Sequence, residues 1–91
     1  MRANEMVIVV TVMPATATKG TRYKGVCDEA CQVVPLNFEL DAKANAWLAA
    51  QACCTSANLE AREGEEWRPW GSVMPNPTKP GSWVIVARRT L

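Results

Sequence analysis

The side chains with the greatest chemical potential in this chain are four cysteines, Cys27, Cys31, Cys53 and Cys54, and their spacing invites a metal-site reading first. A structural zinc site takes a C-x2-4-C pair joined by a second such pair or by histidines, and Cys27-x3-Cys31 meets half of that requirement. The other half is missing. Cys53 and Cys54 are adjacent, so on a helix they diverge by about 100°, and the chain contains no histidine. A Cys27–Cys31 disulfide across a turn is sterically feasible, but with no export signal in the sequence the thiols are expected to stay reduced. The favoured reading makes Cys27 and Cys54 small core residues and leaves Cys53 exposed.

Nucleophilic chemistry fares no better. A cysteine or serine nucleophile needs a base, and the usual one, histidine, is absent. Carboxylates are plentiful from Glu60 to Glu66, but they form a charge run interrupted by Arg62, the pattern of a solvated surface. Thr18-Lys19-Gly20-Thr21-Arg22 imitates a phosphate loop, yet a Walker motif requires G-x4-G-K-[ST] leading from strand into helix. Here the lysine precedes the glycine and a strand is expected to follow. A turn in which Gly20 supplies a positive φ is the preferred reading, with anion binding by a basic loop as the alternative. No catalytic residue, cofactor or metal is therefore expected, and the chain is read as a non-enzyme.

Two patterns suited to binding remain. Lys19, Arg22, Tyr23 and Lys24, joined by Arg88, Arg89 and Arg68, could form a basic track with a stacking aromatic, as single-stranded nucleic acids require. A net charge of +1 and 7% aromatic residues favour instead a solvated strand face that alternates basic and apolar residues. Trp67-Arg68-Pro69-Trp70 is the more suggestive segment for a protein partner. Trp and Arg dominate interface hot spots, and Pro reduces the entropy lost on ordering. Each indole could equally fill a small core.

The elements that must position these residues follow from patterning. At 91 residues, 48% hydrophobic and 21% charged, the chain has the composition of one small globular domain spanning 1–91. Met6–Met13 is Val- and Ile-rich on both alternations, which predicts a central strand buried on both faces. Its apolar run is far short of the ~20 residues of a membrane span, so a cytoplasmic protein is expected. Pro14–Gly20 is a loop, and Thr21–Cys27 a second strand with Tyr23 and Cys27 on one face, Arg22 and Lys24 on the other. Asp28-Glu29-Ala30 turns the chain into a third strand, Cys31–Leu36, whose Pro35 places its end at an edge or a bulge.

Asp41 is a natural N-cap for an Ala-rich helix running to about Thr55, with Ala44, Leu48 and Ala52 as its apolar stripe and Leu40 and Trp47 beside it. Small side chains there allow close approach to a sheet, and Asn58 is a candidate C-terminal cap in the left-handed conformation. Leu59–Glu66 reads as a loop or an extra helical turn, Trp67–Met74 as a strand disturbed by Pro69, and the Pro75–Gly81 segment as a loop with three prolines. Ser82–Ala87 is the last strand, Trp83 and Ile85 on one face, Val84 and Val86 on the other. The fold class is α+β, a β-β-β-α-β-β order with an antiparallel sheet of about five strands and one helix on one face. One helix covers one face only, so the second needs another cover: the Trp67–Trp70 segment, a loop, a second copy of the chain or a partner protein.

Met13-Pro14-Ala15-Thr16-Ala17-Thr18-Lys19-Gly20-Thr21-Arg22, Leu40-Asp41-Ala42-Lys43-Ala44-Asn45 and Trp83-Val84-Ile85-Val86 together resemble segments of short uncharacterised proteins of phages, prophages and other mobile elements. That group carries P-x-T-x-T-K-G-x-R after a first strand, L-[SD]-x-x-x-N before an Ala-rich helix, and a closing aromatic-V-x-V strand. The present chain departs from it in its cysteines and in the Glu60–Trp70 stretch. The resemblance implies a genomic setting and supplies no catalytic residues. In that setting the expected activity is binding of a host or defence protein, while the uncovered sheet face makes a homodimer the other expected partner.

Overall fold

The computed structural model describes residues 5–28, 30–59 and 66–90, and gives the chain as an α+β fold. Strands β1 (Glu5–Met13), β2 (Arg22–Val26) and β3 (Cys31–Pro35) come first, then helix α1 (Ala42–Asn58), then β4 (Glu66–Pro75) and β5 (Ser82–Thr90). The five strands form one sheet in the order β3-β2-β1-β5-β4, every neighbouring pair antiparallel. The β-rich first strand thus sits at the centre, and the two strands containing prolines lie at the edges, where a missing N–H disrupts no ladder. Helix α1 carries the chain across one face, from the β3 edge to the β4 edge, and touches all five strands.

Strand alternation sorts the side chains into two sets. Met6, Ile8, Val10, Tyr23, Ile85 and Ala87 face the helix and are buried. They meet Ala46, Ala49, Ala50, Cys53, Cys54 and Ala57 of α1, so large residues from the sheet interlock with small ones from the helix. The approach is closest at Gly25, where a Cβ would stand 2.9 Å from the Ala49 carbonyl oxygen. Only glycine fits between that strand and the helix backbone.

This contact accounts for a correction to the helix. The expected stripe of Ala44, Leu48 and Ala52 is displaced, because the helix turns its smallest side chains toward Gly25 and leaves Leu48 exposed at the β3 edge. Cys53, expected in solvent, is consequently fully buried together with Cys54, while Cys27 is half-buried. The Asp41 cap forms as expected, its Oδ1 accepting from the Ala44 N–H at 2.8 Å. The helix continues past Thr55 to Asn58, which stays helical; no described residue other than glycine has positive φ. Among the described glycines positive φ occurs at Gly71 and Gly81, and Gly20 does not adopt it. Gly71 sits at the irregularity that shifts the β4 register between Trp70 and Met74. The acidic run expected at 60–65 lies outside the described residues.

Two asparagines do work that the helix pattern does not reveal. Asn45 is buried; its Nδ2 donates to the carbonyls of Asn37, Leu40 and Asp41 at 3.1, 3.2 and 2.9 Å, and its Oδ1 accepts from the Asn37 N–H at 2.8 Å. The loop entering the helix is thereby stitched to its first turn. Asn58 acts like a short neighbouring strand for the β4 edge: Oδ1 accepts from the Trp67 N–H at 2.6 Å and Nδ2 donates to the Trp67 carbonyl at 3.1 Å.

Candidate binding face

The same alternation that builds the core leaves the opposite face of the sheet uncovered by any described element. Cross-strand partners share a face, so the registers give its rows directly. Val9 lies beside Val26 and Val84, Val26 beside Cys31, and Val84 beside Met74. Val7 lies beside Val86, and Val86 beside Trp70. Val7 is 51% exposed, Trp70 56% and Met74 58%, with Val26 and Val33 also in solvent. The expectation that the first strand is buried on both faces fails on this side: β1 is central, but its Val7 is open to water.

Charges frame the apolar centre. At one end Arg22 lies beside Met13, and Lys24 beside Thr11. At the other Arg88 pairs with Glu5 at 3.3 Å and lies over the Trp70 ring, 4.8 Å from its centroid. Arg68 lies next to Arg88 in register and bridges Glu66 at 3.1 Å. Arg88 on the Trp70 face is a cation–π contact at a half-exposed site.

The residues singled out in the sequence therefore separate. Trp67, 4% exposed, packs in the core on the helix side, where Arg89 lies 5.4 Å from its ring centroid. Trp70 and Arg68 are on the open face. Of the basic set, Arg22, Lys24 and Arg88 share the open face, whereas Tyr23 is 4% exposed beneath the helix and Arg89 points to the Trp67 side. Lys19 stays in the exposed loop, where Thr16 N–H donates to its carbonyl at 2.7 Å and its own N–H donates to Thr16 Oγ1 at 3.1 Å. The exposed valines carry the signal that sequence reasoning underrated: alternation on a strand with one helix to share implied that half of them would stay wet.

The cysteines form no metal cluster: among the described residues no three Cys, Asp or Glu side chains are arranged to hold an ion. Cys31 faces the open side, on the row of Val26, while Cys27 turns toward the helix and Cys53. Burial pushes the Cys53 thiol up to about 12, with the Cys27 sulfur beside it adding to the effect, and the Cys54 thiol up to about 11. An open groove of about 700 Å³ runs along the β3 edge between Val34, Leu36, Phe38 and Leu48, and holds no described ionisable group other than Glu39. No helix among the described residues is long and apolar enough to cross a membrane.

No family model matches the chain, and no curated protein or solved structure is significantly similar to it.

Proposed function

We propose that the chain is a small, non-enzymatic protein-interaction module of the cytoplasm that binds through the open face of its sheet, a second copy of itself being the first partner. The observation that carries this reading is the contiguous apolar patch of Val7, Val26, Val33, Trp70 and Met74 on the side opposite the helix. These side chains expose on the order of 500 Å², toward the upper end of the largest patch on a typical monomer. Two such faces packed together, with the half-buried Val9, Val84 and Val86, approach the ~1,200 Å² at which specific interfaces begin. Charge on the rim and apolar side chains at the centre match the usual anatomy of an interface. The resemblance to mobile-element proteins adds a host or defence protein as an accessory partner for the same face.

Light scattering across a concentration series tests the homodimer. A dimer that dissociates in Val7→Asp while the fold persists is the expected result, and a strict monomer at high concentration removes the second copy as occupant.

A second reading, nucleic-acid binding, draws on the placement of Arg22, Lys24, Arg68 and Arg88 on one face with Trp70. Burial of Tyr23 and the pairing of Arg68 and Arg88 with glutamates weigh against it. It requires salt-sensitive binding that an Arg22→Ala/Lys24→Ala double variant loses.

A further inference from the structure

The Cys27 and Cys53 sulfurs lie 3.5 Å apart, although 26 positions separate them in the chain. Cys27 ends the β2 side of a tight turn, its N–H donating to the Ala30 carbonyl at 2.9 Å, and it is half-buried. Cys53 projects from the middle of the helix into the same spot, with its sulfur 3.4 Å from both the Gly25 and the Ala30 carbonyl oxygens. The close packing at Gly25 is what brings helix and turn near enough for the two sulfurs to meet. Cys31, the partner suggested by sequence spacing, is on the other face of the sheet.

We infer that Cys27 and Cys53 form an oxidisable dithiol site, in which hydrogen peroxide reacts at the half-buried Cys27 and the buried Cys53 closes an intramolecular disulfide. In the first step Cys27 sulfur attacks a peroxide oxygen; the S–O bond forms, the O–O bond breaks, and the leaving oxygen departs as water. In the second, Cys53 sulfur attacks the sulfenic sulfur of Cys27; the S–S bond forms, the S–O bond breaks, and a second water leaves. The two thiols together lose two electrons and two protons, and hydrogen peroxide is reduced to two waters. The product ties the helix to the β2–β3 turn.

The test uses the full chain, reduced and then treated with hydrogen peroxide under native conditions. Expected is a loss of 2 Da, with a linked pair of tryptic peptides whose fragmentation joins Cys27 to Cys53. A Cys31→Ser/Cys54→Ala double variant keeps the bond, and Cys27→Ser or Cys53→Ala abolishes it. The oxidised form should melt about 10 °C or more above the reduced form, since the bond closes a long loop, and dithiothreitol should reverse the gain. A bond joining Cys27 to Cys31, or oxidation of Cys27 to sulfinic acid with no loss of 2 Da, overturns the assignment. Should Cys53→Ala fold poorly, the peptide link in the double variant still decides the matter.

Discussion

The two faces of the sheet come from the same strands, read in alternate registers, and they obey different rules. On the helix side each side chain is constrained by volume: Gly25 accepts the helix backbone, and alanines and cysteines fill what Ile8, Val10 and Ile85 leave. On the open side valines, Trp70 and Met74 stand in water between charged rows, and little in the monomer constrains their size. The contrast is sharpest inside Trp67-Arg68-Pro69-Trp70, where one indole is core and the other is surface. Similar residues are enclosed or left in water according to which side of the sheet they occupy.

The strongest way to break this contrast is to exchange the two tryptophans with alanine in turn. Trp67→Ala should destabilise the fold by about 3–5 kcal/mol in urea unfolding, whereas Trp70→Ala should cost under about 1 kcal/mol and weaken self-association instead. Equal losses of stability at the two sites would erase the distinction between the faces.

A smaller effect is expected where the covered face is tightest. Gly25→Ala introduces a Cβ at 2.9 Å from the Ala49 carbonyl oxygen, and thermal denaturation should register a loss of about 1–3 kcal/mol. Asn45→Ala, which strands the backbone groups of the helix-entry loop, should cost about 1–3 kcal/mol. Its hydrogen-exchange signature should be concentrated at residues 37–41.

The covered face also predicts an alkaline weakness. The Cys53 and Cys54 thiols are raised in the folded state, so the fold holds protons that the unfolded chain releases. Their contribution is complete below the unfolded pKa, and stability falls as pH rises from about 9 toward 11 and 12. Chemical denaturation as a function of pH should show this decline, and Cys54→Ala should flatten part of it. An unchanged slope would mean that Cys54 is not held protonated by burial.

The smallest effect on stability belongs to the open face. Val7→Thr, nearly isosteric and half-exposed, should alter unfolding by no more than about 0.5 kcal/mol while shifting the monomer–dimer equilibrium seen by sedimentation. A change in stability without a change in association would make the face ordinary surface.

Much of this architecture was legible in the residues. Val- and Ile-rich runs placed β1 and β5, Asp41 marked the helix start, and Pro35 pointed to an edge or a bulge in a strand that lies at the edge. These are local signals, carried by backbone preferences and by alternation. The candidate site was legible in outline, since one helix and five strands leave a face over, and the basic residues of β2 were assigned the correct side. The position of Cys53 was not legible, because the orientation of an alanine-rich helix depends on contacts that composition does not rank. Asn45 and Asn58 were hidden for a related reason: their partners are backbone groups of loop and edge strand. The one available hint was an amide, of weak helix propensity, placed soon after the cap.

The sequence by itself determined the elements, their order and the alternation along each strand, because these depend on residues close together in the chain. Tertiary structure alone decided that the helix turns its smallest side chains to Gly25, that Trp67 is enclosed while Trp70 is wet, and that Cys27 meets Cys53 rather than Cys31. Each of these follows from close packing between segments distant in sequence, and such packing selects by shape and volume, quantities that no local pattern carries.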